Sequence, residues 1–236
     1  MRFQHADRIW ADFPELAAGA VSASGVGGPV PVPARVTERN RHWYGRADTR
    51  LAGTSAAELP EIRAWRRAFT RMGLRPTQYR SASESLLRRY AREHALPAIH
   101  PLVDLANAIS LAYAIPVAVL DTGRITGPLE VRYADGTERY VAFSGETEHP
   151  RPGEVIFADA AGNAHARRWT NRQSAWSAVR PETGTVLIVA EAMHESGGED
   201  IRSLVAAVEA ELAACWPAST QLAILTAASP RFDCGA

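Results

Sequence analysis

The sequence predicts an α/β or α+β fold in which mixed sheets are flanked by helices. The strongest strand signal is TVLIVAEAM at residues 185–193, and the amphipathic helix pattern GEDIRSLVAAVEAELAACW follows it. A mostly apolar helix at residues 100–116 leads into VAVLD, a short buried strand at 117–121. These elements alternate with uneven spacing, which argues against a regular doubly wound sheet.

The remaining elements are predicted from local start, stop and turn signals. The helix at 60–72 has Pro60 in its first turn and Gly73 as its stop. Ser81 and Glu84 fit a capping box for the next helix, and an Asp-Gly turn predicts a hairpin between the strands that flank it. Strands are expected at 16–24 and 221–227, strand pairs within 129–143 and 153–170, and helices at 35–45, 60–72 and 81–94.

The composition is that of a globular protein with no sign of export. The 236 residues, 46% of them hydrophobic, suffice for one large domain or two tightly joined ones, and GVGGPVPVPA at 25–34 is the nearest approach to a linker. No apolar run reaches about 18 residues, and the first residues lack a secretory signal, so a cytoplasmic location without membrane spans is expected. Cys215 and Cys234 match no disulfide framework or metal motif and are expected to be unpaired.

Arginine is concentrated in one part of a chain whose charges balance overall, with 26 basic and 26 acidic residues. The chain contains no lysine, and nine arginines lie between Ile62 and Arg92 against one acid, Glu84. Guanidinium groups bind phosphate in a planar, bidentate way, so this segment favours a polyanionic partner. The alternative is a solvated helical surface whose arginines pair with acids elsewhere in the fold.

Several common catalytic motifs are missing from the sequence. It has no phosphate-binding loop of the type GxxxxGK[ST], no GxGxxG after a strand, no HExxH, no CxxC and no GxSxG. Phosphoryl transfer, dinucleotide redox chemistry and zinc hydrolysis are therefore poorly supported. Neither a metal nor another cofactor is predicted.

Two groups of polar residues in apolar surroundings are the candidate sites. On the apolar helix, Asp104, Asn107 and Ser110 recur every third residue and form one polar stripe, which either lines a pocket or only caps neighbouring loops. The segment RRWTNRQS at 167–174 follows a strand and either forms a site or is a tight turn with an aromatic anchor. Its candidate residues are Trp169, Thr170, Asn171 and Arg172.

Four stretches in order resemble a known family. They are GLRPTQYRSASESLLRR, LPAIHPLVDLANAISLAYAIPVAVLD, GEVIFAD and RRWTNRQS. They resemble the stand-alone B3/B4-domain proteins, which are similar to the editing domain of the phenylalanyl-tRNA synthetase beta subunit. The resemblance covers about residues 13–191. It implies a compact B3/B4-like domain over residues 1–236, with an arginine-rich helical segment at 60–94.

Some positions of the synthetase pattern are retained and others are lost. Asp104 and Asn107 match its Asp and Asn, whereas Ala106 replaces its Thr and Ala118 replaces its His. The later glycine pair of that pattern is absent from residues 167–174. Because the replacements are small and apolar, the pocket is expected to accept a side chain other than tyrosine.

The resemblance implies a hydrolase that removes a wrong amino acid from tRNA in trans. Such a site needs a selective pocket, donors for the oxyanion and a held water, with no protein nucleophile required. Its partners would be the acceptor end of tRNA and the attached amino acid. For such a site the candidate catalytic residues are Asn107, Thr170 and Asn171. The candidates for substrate binding are Asp104, Ser110, Trp169, Arg172 and Glu154, and Glu154 is also a possible acid or base. The arginine-rich segment supplies the candidates for tRNA binding, which are Arg66, Arg67, Arg80, Arg88 and Arg89.

A second interpretation comes from a different functional class. The lost synthetase groups favour a non-catalytic module that binds tRNA or a small ligand, and basic helices suit either function. In both cases we expect Asp104 and Asn107 to be buried beside residues 167–174 and open to a cavity.

Overall fold

A computed structural model of the chain describes residues 1–27 and 32–234. Its helices are α1 (Asp7–Asp12), α2 (Val32–Leu51), α3 (Pro60–Arg71), α4 (Ala82–Glu93), α5 (Pro101–Tyr113) and α6 (Gly197–Cys215). Its strands are β1 (Arg2–His5), β2 (Ala17–Ser24), β3 (Val117–Asp121), β4 (Leu129–Tyr133), β5 (Tyr140–Val141), β6 (Thr147–Glu148), β7 (Val155–Ala158), β8 (Ala164–Arg167), β9 (Arg172–Gln173), β10 (Thr185–Ala192), β11 (Ser219–Leu225) and β12 (Arg231–Asp233).

A four-stranded antiparallel sheet has the order β11-β2-β10-β3, and its central strands β2 and β10 are buried on both faces. Successive strand residues point to opposite faces, so β10 contributes to two core clusters. Val186 and Ile188 belong to the cluster that contains residues of α2, α5 and α6. Leu187 and Val189 belong to the other, with residues of β1, β4, β7 and α3. Burial on both sides explains why this strand is a continuous apolar run in the sequence.

The second sheet has six strands in the order β12-β1-β4-β7-β8-β9. Strands β1 and β4 are parallel, and the other pairs are antiparallel. A separate pair, β5 and β6, forms a small hairpin. Helices and mixed sheets thus occur together, and the predicted α+β class is confirmed.

Helix α6 lies so close to β2 that the strand requires a glycine. A Cβ atom on Gly19 would be 2.6 Å from Val205 Cγ1 and 2.7 Å from Ile201 Cγ2. Both are shorter than carbon atoms tolerate without displacement. The missing side chain therefore sets the distance between the central sheet and α6.

Most predicted elements are confirmed, and the bounds of several are corrected. The helix expected at 35–45 runs from Val32 to Leu51, and a further strand, β12, follows the one expected to be last. Residues 28–31 of the expected linker lie outside the described residues. Both cysteines are free thiols, as predicted. In the described part of the chain, no helix combines the length and hydrophobicity needed to cross a bilayer.

The predicted Asp-Gly hairpin is wrong. Strand β4 pairs with β1 and β7, while β5 pairs with β6. The reason is Glu138, a buried side chain that accepts hydrogen bonds from the backbone N–H groups of Asp135 and Gly136 and from Arg132. Two backbone N–H groups of the turn thus bond to a side chain, an arrangement that the local turn signal does not reveal.

Candidate functional site

A strained turn joins β8 to β9 at the edge of the six-stranded sheet. Arg167 and Arg172 pair across it, and Arg168 and Trp169 have φ angles of 48° and 59°. Bulky residues rarely adopt this left-handed conformation, which costs about 1–3 kcal/mol per residue and is frequent at functional sites. The surrounding contacts must therefore hold the turn in place.

The Trp169 side chain supplies much of that support from the buried side. Its ring is fully buried, with centroids 4.8 Å from Phe13 and 5.3 Å from Trp65. Its indole Nε1–H donates to Glu191 Oε1 at 2.8 Å, and the same oxygen lies 2.7 Å from His5 Nε2. A buried carboxylate on β10 is thus held by the ring of the turn and by a histidine on β1.

The outer side of the turn is bound to the start of α4. The backbone N–H of Ala82 donates to the carbonyl oxygen of Thr170 at 2.7 Å, and Asn171 Nδ2 donates to the carbonyl oxygen of Arg80 at 2.7 Å. Ser81 caps α4 by accepting from the N–H of Glu84. The polar turn and the arginine-bearing helix therefore form one connected unit.

A cavity of about 60 Å³ opens beside this turn. Its volume is well below the about 150 Å³ of a cavity that holds benzene. Its lining includes the apolar side chains of Val117, Ala118, Phe157, Ala166 and Val189 and the polar side chains of Thr170, Asn171, Arg172, Gln173 and Glu191. The Thr170 hydroxyl is buried and has no hydrogen-bond partner, which a buried polar atom rarely lacks.

Arg172 lies at the rim of the cavity in a fixed position. It donates to both carboxylate oxygens of Glu148, at 3.2 and 3.1 Å, and its guanidinium lies 5.1 Å from the Tyr140 ring centre. Arg167 also pairs with Glu148. Burial raises the pKa of Glu148, but the two guanidinium groups outweigh it and lower that pKa. The rim is therefore an ionised network at neutral pH.

The polar stripe on α5 does not line this cavity. The expectation that Asp104 and Asn107 are buried is wrong, because both side chains are half-buried. Asp104 Oδ1 accepts from the N–H of Ile99 at 2.9 Å, just before the helix begins. Ser110 is buried and donates to the carbonyl oxygen of Ile115 at 2.6 Å, just after the helix ends. Two members of the stripe thus complete the ends of their own helix, because these positions face unpaired backbone groups.

Glu154 is placed as an ion-pair partner rather than in the cavity. Arg167 donates to both of its oxygens, at 2.8 and 3.0 Å, and the N–H of Arg168 adds a third bond at 3.1 Å. Burial raises the pKa of Glu154, but Arg167 outweighs it and lowers the pKa. With its oxygens occupied, this carboxylate supports the strained turn and is poorly suited to proton transfer.

Three of the five arginines proposed for tRNA binding converge on one buried carboxylate. Glu84 accepts from Arg66 at 3.0 and 2.6 Å and from Arg88 at 2.9 Å, and Arg80 Nε lies 3.6 Å away. Burial raises the pKa of Glu84, but the bonds from Arg66 and Arg88 outweigh it and lower the pKa. The predicted capping box is therefore half right, because Ser81 caps the helix while Glu84 binds arginines.

The surface beside these ion pairs is a basic groove. It has a volume of about 910 Å³ and runs between α4 and the end of α2. Its ionisable lining residues are Arg80, Arg88, Arg89, Arg92, His94 and the acid Asp48. Arg89 pairs with the exposed Glu93 at 2.9 Å. Arg67 is exposed on α3 and makes none of the ion pairs found in the described part of the chain.

Two other clusters resemble functional sites but differ in an essential feature. Glu61, His194 and Asp200 have ligand atoms within 4.8 Å of one another, the spacing of a metal site. Arg50 lies 2.5 Å from Glu61, so a guanidinium already supplies positive charge there.

Ser177, His165 and Asp159 form a second cluster with the residue types of a hydrolase triad. Their contacts are 2.8 Å from Ser177 Oγ to His165 Nδ1 and 3.3 Å from His165 Nε2 to Asp159. All three residues are buried, and none of them lines the cavity. Burial raises the pKa of Asp159, but the contact with His165 and hydrogen bonds from backbone N–H groups outweigh it and lower the pKa. The N–H groups of Thr126 and Asn163 donate to Asp159, so this carboxylate holds the surrounding loops.

Glu191, His5 and Gln173 were not predicted as site residues. Glu191 was visible as an acidic residue inside the strongest apolar strand, a pattern that marks a buried charge with a partner. His5 had no comparable signal, because it lies 186 positions from Glu191. Only the pairing of distant strands brings the two together.

Comparison with known protein families identifies the central part of the chain. Residues 64–202, more than half of the chain, match the family described as B3/4 domain. The chain belongs to the B3/4 domain family. The matched region contains α4, α5, the strained turn and Glu191. The residues that line the cavity therefore lie within the B3/4 domain.

Curated relatives share part of this B3/4 domain. The phenylalanine–tRNA ligase beta subunit of Cereibacter sphaeroides is 34% identical over 79 residues, which are 34% of this chain and 10% of that protein. The same subunit of Haemophilus influenzae is 31% identical over 71 residues, 30% of this chain and 9% of that one. The chain thus matches about a tenth of the length of these relatives.

A solved structure of an N-terminal fragment of the Pyrococcus horikoshii phenylalanyl-tRNA synthetase beta subunit aligns with a TM-score of 0.42 at 14% identity. The alignment covers 51% of this chain and 41% of that one.

Proposed function

We propose that this B3/4 domain hydrolyses the ester bond of aminoacyl-tRNA that carries a small amino acid. The observation that supports this most is the mixed lining of the cavity, which combines apolar side chains with Thr170, Asn171 and Glu191. An aminoacyl ester has the same combination, because it joins an apolar side chain to a polar carbonyl and ammonium group. The relatives named above are beta subunits of phenylalanine–tRNA ligase, which makes tRNA the natural partner to test.

The polar residues that line the cavity provide the groups that ester hydrolysis requires. The unpartnered hydroxyl of Thr170 is a donor for the developing oxyanion, and such a donor contributes about 10²–10³ in rate. Asn171 is held by Arg80, which fixes its amide for a second polar contact. Glu191 is held through one oxygen, so its carboxylate can accept from the ammonium group or from the attacking water.

The volume and the apolar lining of the cavity select the amino acid. With about 60 Å³ available, the cavity suits a side chain of a few carbon atoms and excludes a tyrosyl ring. Discrimination between neighbours in such a pocket is about 1–3 kcal/mol per methylene, so related small side chains should also react. In this proposal Asp104, Asn107, Ser110 and Glu154 have structural roles.

The arginines of α3 and α4 supply affinity for the RNA backbone. The group formed by Arg66, Arg80, Arg88 and Glu84 keeps a net positive charge, and Arg67 and Arg89 add to it on the surface. The N–H of Ala82, at the start of α4, is bonded to Thr170, which lines the cavity. An RNA strand whose phosphates bind these arginines would therefore lie close to the cavity. Phosphate contacts position a nucleic acid and contribute little to the chemical step. Acting on tRNA in trans, such an enzyme would work in the cytoplasm.

The experiment is a deacylation screen over tRNAs charged with alanine, serine, valine, phenylalanine and tyrosine. We expect hydrolysis of one or more small aminoacyl esters and none of tyrosyl-tRNA. The matched variant is Thr170→Val, which removes the hydroxyl and keeps the shape of the side chain. Rapid hydrolysis of tyrosyl-tRNA, or equal activity of Thr170→Val, would contradict the proposal.

A second candidate function is a non-catalytic binding module for tRNA or a small ligand. The observation that favours it is Ala118, which lines the cavity where the synthetase pattern carries histidine. Glu191 is then the one acid-base group among the cavity residues described. Saturable binding of aminoacyl-tRNA, with no turnover of any ester in the screen, would support this module over the hydrolase.

A further inference from the structure

Phe143 lies on a hydrogen-bonded turn, with 72% of the residue exposed. It lies at the tip of the β5–β6 hairpin, where the N–H of Ala142 donates to the carbonyl oxygen of Glu146 at 2.8 Å. Gly145 closes the turn with a φ of 88° and donates to the carbonyl oxygen of Ala142 at 2.9 Å. A large apolar ring held in solvent by a preformed turn costs free energy unless a partner covers it.

A recess of about 370 Å³ lies directly against this ring. Its walls are Tyr140, Ala142, Phe143, Ser144, Arg172 and Gln173. Arg172 and Gln173 also line the cavity, so the recess and the cavity share these two side chains. The recess therefore combines an aromatic face, a guanidinium and an amide beside the candidate site.

The hairpin is fixed relative to the cavity by contacts on both sides. The Tyr140 hydroxyl donates to the carbonyl oxygen of Gln173 at 2.9 Å, and Arg172 bridges to Glu148 on β6. The N–H of Ala175 donates to the carbonyl oxygen of Val141 at 2.9 Å. A group bound on Phe143 would thus be held at a defined distance from the polar residues of the cavity.

We propose that this recess binds the terminal base of the RNA substrate, stacked on Phe143, while the ester attached to the same nucleotide enters the cavity. This inference rests on the proposed function and adds the route by which the substrate arrives. Aromatic and guanidinium groups are the surfaces on which single-stranded bases stack, and amide groups bond to base edges. A single exposed ring with polar neighbours suits one planar base better than a protein interface, which buries a larger apolar patch.

Phe143→Ala tests the stacking directly. It should lower kcat/KM for aminoacyl-tRNA by about 5- to 150-fold, the range for loss of one base–aromatic stack. The loss should be the same at low and high salt, because stacking releases few counterions, and Phe143→Trp should restore most of the activity. Hydrolysis of the ethyl ester of the same amino acid, which has no base, should be unchanged. Ile99→Ala, another exposed apolar residue that does not line the recess, is the control.

The outcomes separate this inference from the proposed function. Wild-type protein that neither binds nor hydrolyses any charged tRNA would overturn both. Wild-type activity that Phe143→Ala leaves intact would overturn the base-binding recess alone. An equal loss on aminoacyl-tRNA and on the ethyl ester would also overturn it, because the substitution would then act through the shape of the cavity. A Phe143→Ala variant that differs from the wild type only in oligomeric state, measured by sedimentation, would overturn it as well.

Discussion

Replacing Glu84 with glutamine should destabilise the protein markedly, because this carboxylate organises the arginine cluster on α3 and α4. Its side chain is 1% exposed and accepts three charge-assisted hydrogen bonds, two from Arg66 and one from Arg88. Bonds to charged groups contribute about 1.5–3 kcal/mol each. The partly exposed arginines can regain water, so we expect a total loss of about 3 kcal/mol.

The assay is thermal unfolding at several pH values. For a chain of this length, about 3 kcal/mol corresponds to a fall in Tm of about 6–12 °C. The pKa of Glu84 is lowered in the folded state, so its stabilisation is complete above the unfolded pKa of about 4.3 and is lost as pH falls through the folded value. The difference between wild type and Glu84→Gln should therefore shrink between pH 5 and pH 3.

Glu93→Gln is the matched control, because this exposed glutamate pairs with Arg89 and Arg92 on the same helix. Its Tm should be indistinguishable from that of the wild type. If Glu84→Gln unfolds at the same temperature as this control, the buried carboxylate does not organise the cluster. If its deficit is as large at pH 3 as at pH 7, ionisation of Glu84 is not the source of the stability.

Three further predictions concern RNA affinity, chemistry and packing. Arg67→Gln combined with Arg89→Gln should reduce the log–log salt slope of tRNA binding by about 0.7 per lost contact without changing Tm, and an unchanged slope would exclude these side chains from the interface. Thr170→Val should lower the deacylation rate by about 10²–10³ and should not lower stability in chemical unfolding, because the hydroxyl that it removes is buried without a partner; a stability loss at full activity would reverse that assignment. Gly19→Ala should cost about 1–3 kcal/mol in urea unfolding because its Cβ would meet Val205, and a neutral result would show that α6 can shift.

The sequence by itself determined the class of the fold and most of its elements. β10 and α6 carry periodic apolar patterns long enough to outweigh local ambiguity, so strand and helix were predictable there. Ser81, Pro60 and Gly73 are local signals that act through the backbone next to them, and the helices begin and end beside them. The segment 167–174 stands out in the sequence because polar residues directly follow an apolar strand, and in the structure it lies beside the cavity.

Only the tertiary structure decided which polar groups meet. Asp104 and Ser110 have the periodicity of a pocket-lining stripe, yet their partners are backbone groups at the ends of the same helix. Glu84 looked like half of a capping box but binds Arg66, which lies 18 positions earlier. The Glu191–His5 contact joins residues 186 positions apart. A carboxylate bonds to whichever donors the packed fold brings within about 3 Å, and sequence patterns report on the neighbouring backbone and not on that distance.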